Sequence, residues 1–200
     1  MKTWEEQDGV AFLRDIGVRQ GDKVLDFGSR VGHYSIPAAF AVGRRGMVYA
    51  LDKDSEPLDQ LIGKAKELGL SNIKTMRTPA RIDVAVENNT INVVLLYDVL
   101  HYFALGNRRR LYQEAFRVLK PNGLLSVYPK HTAEDTPAQQ LKDMHVRDVE
   151  REIRMSGFEP DGQWEAILSH DEGLQHGRVL NFRKHRSDVE PLGGNHNVKQ

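Results

Sequence analysis

The residues in this chain best suited to chemistry are two acids framed by glycines. In Val24-Leu25-Asp26-Phe27-Gly28-Ser29-Arg30-Val31-Gly32, a short apolar run leads into an acid, then into a bend with glycines at 28 and 32. Gly28 and Gly32 free the backbone for a sharp turn, and a helix beginning in 34–40 would aim its N-terminal amides at whatever the bend holds. Such an arrangement suits a nucleotide. A second acid, Asp52, ends the next apolar run twenty residues beyond Gly32, at a distance where a carboxylate can accept hydrogen bonds from both hydroxyls of a ribose. Nicotinamide-binding loops carry Gly-x-Gly-x-x-Gly, whereas the spacing here is Gly28-x-x-x-Gly32. Asp98 and His101 follow the most apolar run of the chain and are the groups placed for general base chemistry, with a structural role in a loop as the alternative for His101.

Composition narrows the partners. The chain has 200 residues, 40% of them hydrophobic, enough for one good core, and a single domain over 1–184 is expected. Lysine and arginine together number 28, matched by 28 acids, so no global positive field draws in a phosphate backbone or an anionic membrane. Nucleic acid and membrane are therefore not expected as partners. There is no cysteine, which removes disulfides, thiolate metal sites and thiol nucleophiles and permits a reducing compartment; Met1 to Asp8 is polar and acidic and nowhere do eighteen apolar residues occur together, so a cytoplasmic setting is expected. The eight histidines show no His-x-x-His or Glu-x-x-His spacing, so no metal is expected from sequence.

The elements that position these residues alternate. A first helix carries Val10, Leu13 and Ile16 on one face and leads to the strand at 24–27. A strand at 47–51 precedes a helix striped by Leu58, Leu61, Ile62, Ala65 and Leu68 and closed by Gly69. Short strands are expected at 73–76, 92–97 and 124–128, with Leu111, Ala115, Phe116 and Leu119 on one helix face between the last two. A further helix with Leu141, Met144, Val149 and Ile153 stops at Gly157. The runs 164–168 and 178–182 are separated by too few residues for a helical crossover and should pair antiparallel. The expected fold is α/β: a seven-stranded, mostly parallel, doubly wound sheet with a C-terminal antiparallel hairpin and helices on both faces. From 185 to 200 the sequence is polar, and a disordered tail is expected.

The pattern Asp26-x-Gly28-x-x-x-Gly32 resembles motif I of the class I S-adenosylmethionine-dependent methyltransferases. Leu119-Lys120-Pro121-Asn122-Gly123-Leu124 is similar to that family's turn before strand five. The resemblance implies S-adenosylmethionine as cofactor. Asp26, Gly28, Ser29, Arg30, Gly32 and Tyr34 would hold its methionine portion, and Asp52 its ribose, with Lys53 either in contact or exposed to solvent. Ala80 and Arg81 would lie near adenine, and Tyr97 beside the transferable methyl. Asp98 and His101 are the implied catalytic candidates. Two positions depart from the family pattern: Arg30 replaces a glycine, and Thr78-Pro79-Ala80 replaces Gly-Asp-Ala, removing an acid that recognises adenine. No Asn-Pro-Pro-Tyr follows the strand at 92–97, which disfavours methylation of DNA bases and favours a small-molecule acceptor. The departures leave a second reading, a catalytically silent protein of this fold that binds cofactor weakly or serves a protein partner. A nicotinamide-dependent oxidoreductase is third.

Overall fold

The computed structural model describes residues 1–78 and 82–185. Ala80, Arg81 and the tail from 186 onward lie outside the described residues. The strands β1 (Lys23–Phe27), β2 (Met47–Asp52), β3 (Ile73–Arg77), β4 (Ile91–Tyr97), β5 (Leu119–Tyr128), β6 (Phe158–His170) and β7 (Gly173–Lys184) form one sheet in the order β3-β2-β1-β4-β5-β7-β6. From β3 to β5 neighbours run parallel, while β7 is antiparallel to both β5 and β6. Strand order reverses between β1 and β4, the point where open α/β sheets bind ligands beyond their carboxyl ends.

Successive residues of the central strands serve opposite faces. Val24, Val93 and Leu95 share a core with α1 (Gly9–Asp15) and α2 (Ser35–Val42), through Leu13, Ala38 and Val42. Leu25, Phe27, Val94 and Leu96 share another with α4 (Leu105–Val118) and α5 (Val146–Arg154), through Leu111, Ala115, Val149 and Ile153. Burial on both faces is why β4 reads as an unbroken apolar run. Each such side chain contributes about 1.5–3 kcal/mol of burial free energy. On the α2 side, α3 (Ser55–Glu67) adds Leu61 and Ala65 against Ile36 and Ala50.

Two local expectations are corrected. Leu119 does not continue the helix: its ψ is 137°, and it pairs with Ile91 at the start of β5. The ladder then skips the turn residues and resumes at Val93 and Leu124, with Asn122 at φ 65°. Leu141 and Met144 are not in a helix with Val149 and Ile153. A 3-10 turn, Gln139–Leu141, is followed by a fresh start at Val146, where the Asp148 carboxylate accepts the His145 N–H at 3.0 Å. Leu141 and Met144 reach the same core from outside the helix, which is why their spacing mimics it. Arg108 of α4 is 3% exposed and forks onto Glu152 of α5.

The C-terminal hairpin is longer than the sequence runs suggest, turning only at Asp171-Glu172. Because β6 points the same way as β4 and β5, its end carries His170 to the sheet's carboxyl side. Trp4, 1% exposed, anchors the N-terminus by donating its indole N–H to the His33 carbonyl at 2.8 Å. Among the described residues no helix is long and apolar enough to cross a membrane.

Candidate active site

The bend after β1 is held by its own backbone. The amides of Gly28 and Ser29 both donate to the Leu51 carbonyl at 2.8 Å, tying the bend to the end of β2. Gly28 and Gly32 take φ of 82° and 93°, and a Cβ on Gly32 would stand 2.3 Å from Leu61 Cδ1. Both conformation and space therefore require glycine at 32. Arg30 adopts φ 45°, so the position does demand the left-handed region that its residue type disfavours. Its side chain leaves the bend: the guanidinium lies 3.6 Å from the Asp171 carboxylate at the hairpin turn and is mostly exposed.

The two acids converge on this bend. Asp52, 7% exposed, accepts the Arg30 N–H at 2.9 Å through Oδ2 and the Asp54 N–H at 3.1 Å through Oδ1. A carboxylate offers about four acceptor positions, so each oxygen keeps capacity for a ligand hydroxyl. Asp26 is buried, and its Oδ2 accepts the Ser35 hydroxyl at 2.6 Å. Burial pushes its carboxyl up to about 6, the nearby Asp52 charge adds to the rise, and the Ser35 hydrogen bond opposes it. The Ser29 hydroxyl is buried with no hydrogen-bond partner.

A second cluster stands at the end of β4. Asp98 takes φ 52° and donates its N–H to the Tyr128 carbonyl at the end of β5. Its Oδ2 lies 2.6 Å from His170 Nδ1, and its Oδ1 lies 3.4 Å from His101 Nδ1 and 3.5 Å from His131 Nε2. The two longer approaches lack hydrogen-bond geometry, which leaves Asp98 Oδ1 and His101 Nδ1 buried and unpartnered. Burial raises the Asp98 carboxyl against the pull of His170. Burial, reinforced by the charges of His131 and His170, holds His101 down at about 4, so it is neutral near pH 7.

The structure thus gathers Asp26, Gly28, Ser29, Arg30, Gly32 and Asp52 at one end of the sheet, and Asp98 with His101 at the neighbouring strand end. Tyr34 and Tyr97 lie in the core beneath: their rings meet edge to face at 4.6 Å, the Tyr34 hydroxyl donates to the Ser169 carbonyl, and the Tyr97 hydroxyl bonds Ser126. Lys53 is exposed, contributing its carbonyl to Arg77. His170 was not legible as a site residue, although counting back from the turn Asp171-Glu172 along paired strands would have put it at the hairpin tip.

The family model described as a methyltransferase domain matches residues 24–123, half of the chain, from β1 to the turn within β5. The chain belongs to the class I S-adenosylmethionine-dependent methyltransferases. A demethylmenaquinone methyltransferase of Staphylococcus aureus is 30% identical over 128 residues, covering 62% of this chain and 48% of the relative. The chain spans about half the length of the curated relatives it matches. In fold, it is similar to a SAM-dependent methyltransferase from Aquifex aeolicus, with TM-score 0.72 at 21% identity over 91% of this chain and 92% of that one. A second, from Methanosarcina mazei, has TM-score 0.69 at 17% identity over 87% and 97%.

The family's cofactor is S-adenosylmethionine. The residues present fit it: a glycine bend clear of the Arg30 side chain, an unpartnered Ser29 hydroxyl, spare acceptor capacity on Asp52, and acids to receive a cationic, hydroxyl-bearing ligand. The methyltransferase bend is shaped by backbone hydrogen bonds of the chain itself, from Gly28 and Ser29 to Leu51 and from Gly32 to Ser29.

Proposed function

We propose that this protein is an enzyme that methylates a small-molecule acceptor, with the reaction centred between the β1 bend and the Asp98 cluster. The observation that carries the reading is the joint geometry of Asp26, Asp52 and the 28–32 bend at the strand-order reversal. When bound, S-adenosylmethionine supplies a methyl group already activated on a sulfonium. Asp52 would accept the ribose hydroxyls, while the bend and Asp26 would receive the methionine portion. Asp98 and neutral His101 are the groups available to hold or take the acceptor's proton, and much of the rate would come from alignment of the acceptor. Lys53, Ala80, Arg81, Tyr34 and Tyr97 remain proposed contributors to the cofactor site, the two tyrosines as its floor.

A cytoplasmic setting is part of this proposal, supported by the polar, acidic stretch Met1 to Asp8. Calorimetric titration with S-adenosylmethionine and with its demethylated product tests it first: saturable binding is expected. No binding at millimolar ligand by folded protein would remove the enzyme and leave a silent member of the family. The Staphylococcus relative's name makes a demethylated quinone the first acceptor to assay, followed by phenols and amines of similar size.

A further inference from the structure

Asp98 follows β4, His131 follows β5 and His170 ends β6, so the topology delivers three potential ligands from separate parts of the chain to one point. One ligand-capable atom from each lies within 4.8 Å of the other two, and all three side chains are half-buried, with an approach from solvent. We propose that Asp98, His131 and His170 form a binding site for a divalent transition metal, with zinc the natural probe. Two imidazoles and one carboxylate are a donor set such ions take, and three protein ligands leave a position open for an exchangeable group.

A hydrogen bond behind His131 orients that ligand for this task. His131 Nδ1 lies 2.9 Å from the Thr136 carbonyl oxygen, which can only accept, so Nδ1 carries the proton. Its Nε2 then faces Asp98 Oδ1 at 3.5 Å, a lone pair opposite an anionic oxygen, an encounter that a cation between them resolves. His170 Nδ1 donates a hydrogen bond to Asp98 Oδ2 at 2.6 Å, a proton that an incoming ion would displace, and its Nε2 stands 3.4 Å from the Asp171 carboxylate. A carbonyl partner such as that of Thr136 is what fixes the tautomer of a metal-bound imidazole. Buried Asp98 Oδ1 has no hydrogen-bond partner, so that oxygen is available as a ligand. Asp98 and His131 are also both held at left-handed φ, 52° and 69°, which sets their side chains toward one another. Tetrahedral metal–ligand distances of roughly 2.0–2.2 Å require the 2.6 Å contact between Asp98 and His170 to open by roughly 0.8 Å. A proton shared between those two residues explains only that contact and leaves the orientation of His131 without a purpose.

An ion here would offer its open position to an oxygen or nitrogen of the acceptor and ease loss of its proton, a role that rests on the methyl-transfer reading. The site itself does not rest on it. Tag-free full-length protein titrated with zinc chloride against a chromophoric chelator should take up one zinc per chain. H131A and H170Q should each weaken that binding at least tenfold, with circular dichroism unchanged, while H176A, at an exposed strand position, should not. Cobalt(II) should give absorption bands of a low-symmetry site that vanish in H131A. Failure to bind stoichiometrically, or equal affinity in H131A, H170Q and the parent, overturns the proposal. Calorimetry with S-adenosylmethionine on the same samples separates the two readings, because cofactor binding without zinc binding sinks only the metal site.

Discussion

The backbone N–H of Arg30 donates to Asp52 Oδ2 at 2.9 Å, so the acid best placed for a ribose also holds the bend that would receive the rest of the cofactor. D52A should therefore lose more than a ligand contact. Affinity for S-adenosylmethionine is expected to fall at least tenfold, about 1.4 kcal/mol. Calorimetry checks it, and unchanged affinity would show that the ribose is held elsewhere.

Arg30 offers a test of strain. A non-glycine residue at φ 45° costs on the order of 1 kcal/mol, which glycine relieves at the expense of a more flexible unfolded chain. The exposed contact with Asp171 contributes little. R30G should thus unfold in urea within about 1 kcal/mol of the parent and bind cofactor at least as well, since the loop bond to Asp52 uses backbone alone. A large loss of cofactor affinity would instead assign the guanidinium a direct role.

Asp26 links site and stability through pH. Burial puts its folded carboxyl near 6, above the ordinary 3.8. Its contribution to folding is therefore fully present below about 3.8 and is lost as pH rises through about 6. D26N keeps an acceptor for the Ser35 hydroxyl and removes the buried charge. At pH 8 the variant should be more stable than the parent by about 2–3 kcal/mol, with the gap closing by pH 4, while cofactor binding weakens. Urea melts at both pH values decide it; equal gaps would refute the account.

Arg108 forks onto Glu152 at 2.8 and 2.7 Å, joining α4 to α5 in a nearly dry setting. R108A would strand the glutamate and should cost about 3 kcal/mol, whereas R108M combined with E152L should recover most of it. Chemical denaturation of the single and double variants measures the difference. A loss no larger than that of a surface pair would show that Glu152 finds water.

Much of the frame was legible because short-range physics writes it into local pattern. Apolar runs at 47–51 and 92–97, the stripe of Leu58, Leu61 and Ala65, and the acid-glycine bend all report local burial or backbone freedom, and the folded chain uses them as expected. Leu119 misled because a buried strand start and the last turn of a helix both ask for an apolar residue. Only the pairing with Ile91 separates them.

By itself the sequence determined the order of strands and helices, the bend with its two acids, and membership in the methyltransferase family, since these depend on residues near one another in the chain. Tertiary structure alone decided that Arg30 turns outward to Asp171, that Arg108 is buried against Glu152, and that His131 and His170 meet Asp98. Those contacts join residues 33 to 141 positions apart, and such pairings follow from sheet order and hairpin length rather than from any local spacing.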